Sequence, residues 1–265
     1  MQTARSHDLT IAYWRDGAGV PIVWIQGLNA DHTAWLSQVT AFRDDFDCIA
    51  PDNRDVGRSG RATAPYTLAE MADDVRAVLD DAAVLDAHVV GLSMGGAIAQ
   101  ELTLRYPEWV RSLTLVSTFA RPDGRLTAIL EAWRVIYPKL GPSDFARQSW
   151  PWLFSWRYFE RPNAARNLQN YAEHSPHPQE PDAFVRQIDA SLGQDRRERL
   201  GAIQVPTLVI AGSEDALVPP YLGRELADHI PGARYAAIHG VGHSANLEGR
   251  SEFNRLVREF LAEQG

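Results

Sequence analysis

Five short apolar runs of strand length, at residues 21–26, 46–50, 88–92, 112–117 and 207–211, are separated mostly by stretches with helical periodicity. No other feature of the chain constrains its fold as strongly, because alternation of this kind defines βαβ units and a parallel sheet with helices on its faces. Ahead of the first run, residues 9–15 alternate apolar and polar and lead into Asp16-Gly17-Ala18-Gly19, a turn signal, so an edge hairpin is expected to open the fold. A strand-like run at 205–211, a helix at about 221–229, a strand at 234–238 and a last helix at 252–262 complete the expected sheet.

The best-marked helix follows Thr67-Leu68-Ala69-Glu70, a capping box, and places Leu68, Met71, Val75, Val78 and Leu79 on one face for packing against the sheet. A second helix follows Ser93 and stops near Pro107, which cannot continue it. Between residues 121 and 200 the pattern changes. Eight prolines punctuate short helical stretches and no β-branched strand run appears, which predicts a helical cap inserted into a core made of residues 1–120 and 201–265. Four of the eight tryptophans, Trp133, Trp150, Trp152 and Trp156, fall in this insertion. The last three are expected to line a substrate site, with packing inside the cap as the competing role.

Chemistry concentrates at three loops, each at the carboxyl end of an expected strand. Gly91-Leu92-Ser93-Met94-Gly95 lies between a strand and a helix, the context in which G-x-S-x-G forms a sharp turn that exposes the serine hydroxyl. The same turn sets the Met94 amide at a helix N-terminus, where developing negative charge is favoured. A serine needs a base, and the base needs a carboxylate to fix its tautomer. His243, on the loop after the last strand, is the candidate base, with His239 as its rival. Asp215 is the candidate acid, with Glu214 beside it. The order Ser93, Asp215, His243 is that of the α/β-hydrolase arrangement and not of chymotrypsin or subtilisin.

Composition narrows the alternatives. A formal charge of -8 repels nucleic acid and anionic membrane surfaces, and no run of 18 apolar residues is present for a membrane span. The polar first ten residues lack a signal-peptide core, and the single cysteine, Cys48, sits in an apolar run as a buried, inert thiol, so a cytoplasmic location is expected. No metal cluster, dinucleotide fingerprint or Walker loop competes with the serine site, so neither metal nor cofactor is expected. A small-molecule substrate is the expected partner, and a homodimer is left open.

On these motifs the chain resembles the α/β-hydrolase fold superfamily over nearly its whole length: the elbow from Gly91 to Gly95, Asp215-Ala216-Leu217-Val218-Pro219, and Gly242-His243 followed by Glu248 match in order and spacing. The resemblance implies that the loop after the first parallel strand supplies half of an oxyanion hole. Here that loop reads Gln26-Gly27-Leu28-Asn29, with Gln26 in place of the usual histidine, and the Leu28 amide is carried over as donor beside Met94. The segment from Asp52 to Ser59 resembles the family's D-x-R-G-x-G-x-S turn, with Asp55 where glycine is common, and is read as structural. Serine in place of an elbow aspartate argues against epoxide and haloalkane chemistry, and points to hydrolysis of a carboxylic ester or lactone through an acyl-enzyme. Esterases, methylesterases and enol-lactone hydrolases are the similar branches. The last take carboxylate-bearing lactones, and Arg134, Arg157 or Arg161 could meet such an anion, although a solvated helix face is the commoner role for such charges. Leu92 before the serine speaks against a carbon-carbon bond hydrolase, and an intact serine, base and acid speaks against a non-catalytic receptor.

Overall fold

The computed structural model describes residues 1–264 and contains one eight-stranded sheet. Its strands are β1 (Gln2–Ser6), β2 (Leu9–Asp16), β3 (Val20–Ile25), β4 (Phe46–Pro51), β5 (Ala87–Leu92), β6 (Val110–Val116), β7 (Thr207–Gly212) and β8 (Arg234–Ile238), in the spatial order β1-β2-β4-β3-β5-β6-β7-β8. From β4 onward every pairing is parallel; β2 runs antiparallel to both β1 and β4. The opening hairpin therefore forms with Gln2–Ser6, through a turn at His7 in the left-handed region, φ 51°. The turn at residues 16–19 instead carries the chain to parallel β3. Only Ala4 and Ser6 of β1 are buried, and so short and polar a strand leaves little periodic signal to read.

Among the described residues there are ten α-helices, in chain order α1 (Leu36–Phe42), α2 (Leu68–Asp81), α3 (Met94–Arg105), α4 (Gly124–Leu153), α5 (Trp156–Phe159), α6 (Ala164–Glu173), α7 (Pro181–Leu192), α8 (Pro220–His229), α9 (Ala245–Glu248) and α10 (Arg250–Ala262). The capping box of α2 is formed in both directions, with Thr67 N donating to Glu70 Oε2 at 2.9 Å and Glu70 N donating to Thr67 Oγ1 at 3.2 Å. The two faces of the sheet bury separate apolar clusters. On β3, Val23 and Ile25 join α2 and α3 on one side, while Ile22 and Trp24 join Trp35, Phe42 and Phe253 on the other. Adjacent strand residues point to opposite faces, so one continuous apolar run supplies both cores.

Helices α4 to α7 all lie between β6 and β7. The long α4 is broken at Gly141, where φ 72° and ψ 173° depart from helix just before Pro142. Its two arms and α7 enclose a third cluster built on Trp133, Tyr137, Phe145 and Phe184, in which the Tyr137 and Phe184 rings stack 3.9 Å apart. No helix among the described residues is long and apolar enough to cross a membrane.

One buried titratable group in the sheet has a consequence for acid stability. His88 in β5 is 1% exposed and its Nδ1 lies 2.7 Å from Ser112 Oγ. Burial, reinforced by the Arg111 charge, lowers its pKa from 6.5 to about 4. The unfolded chain therefore binds a proton between those values that the folded chain does not, and the contribution is lost as pH falls through that window, at roughly 1.4 kcal/mol per pH unit. Urea unfolding at pH 7 and pH 4.5 is expected to show a loss of about 2–3 kcal/mol in the wild type beyond that in His88→Gln. Equal losses in the two proteins would refute this role for His88.

Candidate active site

The elbow begins where β5 ends. Ser93 has φ 56° and ψ -122°, a conformation costing a non-glycine residue roughly 1–3 kcal/mol, so its surroundings must hold it. They do so from both sides. Ser93 N donates to Val116 O at 2.9 Å, and Ser93 O accepts from Thr118 Oγ1 at 2.6 Å and from the amides of Gly96 and Ala97 at 2.9 and 3.2 Å. A side chain on Gly95 would place its Cβ 2.3 Å from Ile25 O and 2.4 Å from Gln26 O, so the glycine lets the elbow close against the β3 loop. That loop reaches the serine itself, since a Cβ on Gly27 would sit 3.3 Å from Ser93 Cβ and 3.9 Å from its Oγ. The Leu28 amide follows directly, and Met94 is the first residue of α3.

Asp215 and His243 arrive from the two neighbouring loops. Asp215 follows β7 and is 4% exposed. Its Oδ1 accepts from the amides of Leu217 and Val218 at 2.9 and 2.8 Å, which turns Oδ2 toward His243 Nδ1 at 2.9 Å. An ionised carboxylate only accepts, so Nδ1 carries the proton and the lone pair of the imidazole is on Nε2. His243 lines the same cavity as Ser93. Both rivals point elsewhere. His239 is exposed, and the Glu214 carboxylate is 3.3 Å from Arg157 Nε at the surface.

The histidine loop has an anchor of its own in buried Glu248. Its Oε2 accepts from Gly242 N at 3.0 Å and from Ser155 N at 3.1 Å, while Oε1 accepts from Ser155 Oγ. One carboxylate thus ties the loop carrying His243 to the end of α4. The segment after β4 is clamped as well. Asp55 sits at φ 72° and receives two hydrogen bonds from Arg186 of α7, at 2.8 and 3.0 Å, together with one from Ala62 N. The carboxylate that stands where glycine is common therefore binds the helical insertion to the core.

Ser93 and His243 open into a cavity of about 480 Å³. The insertion supplies its apolar roof with Leu130, Trp133, Phe145, Trp150 and Phe184. Two of the three tryptophans expected at the site are not there, and this corrects the sequence reading. Trp152 packs half-buried beside the insertion's own cluster with Arg125 over its ring at 5.5 Å, and Trp156 is 62% exposed, stacked under Arg157 at 4.6 Å. Helix geometry explains the split: residues two apart on α4 point about 200° apart, and Trp156 begins a new short helix beyond Leu153. Trp133, Phe145 and Phe184 are aromatics of the roof that the sequence reading did not place there, and the spacing of Trp133 from Leu126 and Leu130 is the helical repeat that marks a shared face.

No lysine or arginine is among the described residues lining the cavity. Arg134 pairs with Asp189 at the surface, Arg157 with Glu214, and Arg161 donates to Glu248 O at 3.0 Å. Asp31 is the one acidic side chain there, and its Oδ1 is occupied by Thr33 N and Thr33 Oγ1.

Fold and sequence agree on the class, since the profile of the α/β hydrolase fold family matches residues 20–250 and the chain belongs to that family. It is a hydrolase of this fold. It is 37% identical over 263 residues, 99% of each chain, to the candidate carbamate hydrolase RutD of Azorhizobium caulinodans. Among solved structures it resembles the enol-lactonase of Burkholderia xenovorans, with 28% identity, TM-score 0.88 and 98% and 100% of the two chains covered. It also resembles an esterase of Thermogutta terrifontis, with 25% identity, TM-score 0.88 and coverage of 99% and 98%.

Proposed function

We propose that this protein hydrolyses neutral carboxylic esters or lactones with apolar or aromatic groups, through an acyl-enzyme on Ser93. His243 Nε2 takes the Ser93 proton as Oγ attacks the carbonyl carbon, and the amides of Leu28 and Met94 donate to the oxyanion. The tetrahedral species collapses, the alcohol leaves with the proton from Nε2, and water repeats the sequence to free the acid. Asp215 keeps Nδ1 protonated and stabilises the imidazolium formed in each half-reaction.

The absence of any lysine or arginine from the described cavity lining carries the choice of a neutral substrate. A substrate carboxylate buried there would lose its hydration with no lysine or arginine in return, a cost of several kcal/mol unless it takes up a proton. This separates the proposal from the carboxylate-bearing lactones that Arg134, Arg157 or Arg161 could have met. Carbamate hydrolysis, which the name of the RutD relative implies for that protein, would use the same carbonyl chemistry.

The test is a pair of 4-nitrophenyl esters of equal chain length, one ending in methyl and one in carboxylate. The neutral ester is expected to have a kcat/KM at least about 100-fold higher, the ratio that roughly 3 kcal/mol of unpaired burial gives. Equal values, or a preference for the carboxylate, would overturn the neutral-substrate reading.

A further inference from the structure

Helix α7 sends two consecutive side chains into loops of the sheet domain. Arg186 takes Asp55, and Gln187, fully buried, reaches the loop beside the serine. Gln187 Oε1 accepts from Asn29 N at 3.2 Å, and its Nε2 donates to Arg54 O at 3.1 Å. The two contacts fix the orientation of the carboxamide, since an amide N–H requires the oxygen and a carbonyl requires the nitrogen.

Asn29 stands at φ 60°, and the peptide that carries its N–H follows Leu28 directly. Holding that peptide plane restrains ψ of Leu28, one of the two torsions that relate it to the peptide carrying the Leu28 N–H. From the strand side the loop is anchored weakly. Gln26 Nε2 is 3.4 Å from Trp24 O, and Gln26 Oε1, though buried, has no hydrogen-bond partner. Asn53 Nδ2 holds Gln26 O at 3.1 Å, which secures the chain before Gly27 but not after it. The Leu28 side chain itself packs between the sheet cluster and the cluster of the helical insertion.

We infer that Gln187 is a positioning residue, which orients the oxyanion-binding Leu28 amide through Asn29 and makes that half of the hole depend on the seating of α7. The inference rests on the reading of Ser93 and Leu28 proposed above. A donor swung out of line stabilises the oxyanion less without changing how the ground-state ester packs in the apolar cavity, so kcat should suffer and KM should not.

The experiment compares wild type, Gln187→Met, Gln187→Asn and Gln187→Glu for kcat, KM, thermal midpoint and inhibition by an alkylboronic acid, whose tetrahedral adduct places an oxygen in the hole. Methionine keeps the volume and removes the acceptor, asparagine keeps the polarity and withdraws it by one methylene, and glutamate keeps an acceptor for Asn29 N while losing the donor to Arg54 O. In Gln187→Met and Gln187→Asn kcat is expected to fall about 10- to 100-fold, with KM within about threefold and boronate affinity falling in step with kcat. Gln187→Glu should recover part of kcat, since it keeps the contact with Asn29 N and loses the one with Arg54 O. Unchanged kcat in the folded variants, a loss that follows the thermal midpoint, or a glutamate variant no better than the methionine one would overturn the inference. Ser93→Ala in parallel separates the two levels: if it is inactive while Gln187→Met is fully active, only the role of Gln187 falls, and if it remains active, the underlying reading falls.

Discussion

Ser93→Ala is expected to lower kcat for a neutral ester by about five to six powers of ten while leaving KM within a few-fold, the scale seen when a nucleophile is removed from a serine, histidine and aspartate unit. The fold should survive, because the hydrogen bonds that hold this strained residue come from its backbone amide and carbonyl and not from its hydroxyl. Single-turnover kinetics with an activated ester check the result. A variant within tenfold of wild type would mean that water attacks the ester directly and that Ser93 only starts a helix.

The second large effect falls on the pair behind the serine. His243→Ala should cost about as much as Ser93→Ala, and Asp215→Asn on the order of 10⁴-fold in kcat. The second figure has a geometric reason. Asp215 Oδ1 is pinned by the amides of Leu217 and Val218, so an asparagine would keep its oxygen there and turn its NH₂ toward His243 Nδ1. The imidazole would then have to accept at Nδ1 and carry its proton on Nε2, where it cannot take the proton of Ser93. His239→Ala and Glu214→Gln, both at the surface, should change kcat no more than about threefold, within the range of ordinary surface substitutions. Steady-state kinetics on the four variants decide the assignment, and a larger loss in Glu214→Gln than in Asp215→Asn would reverse the choice of acid.

Much of this architecture is legible in the sequence because it depends on local pattern. The strands from β3 to β7 are apolar runs bounded by turns, α2 carries its own capping box, and the elbow is five consecutive residues with a strand before and a helix after. What escapes is non-local. Gln187 lies 158 residues from Asn29, and although its spacing from Phe184 sets it on the buried face of α7, that pattern does not name its partner. Asp55 reads as a turn residue until Arg186 is seen to meet it from α7. The tryptophans show the same limit. Aromatic density marks the insertion correctly as a source of apolar surface, but which ring faces the cavity is set by helix phase and by the break after Leu153, and these put Trp150 inside and turn Trp152 and Trp156 away. Gln26 bonds Trp24 O through Nε2 and leaves its buried Oε1 without a hydrogen-bond partner, which no local pattern announces.

Intact-mass measurement after exposure to a fluorophosphonate, followed by peptide mapping, tests whether Ser93 carries the acyl group. One adduct per chain is expected, located in the peptide containing Ser93, forming as fast as ester hydrolysis is lost and absent from Ser93→Ala. Hydrolysis that persists in fully labelled protein, or an adduct mapped to another residue, would contradict the account.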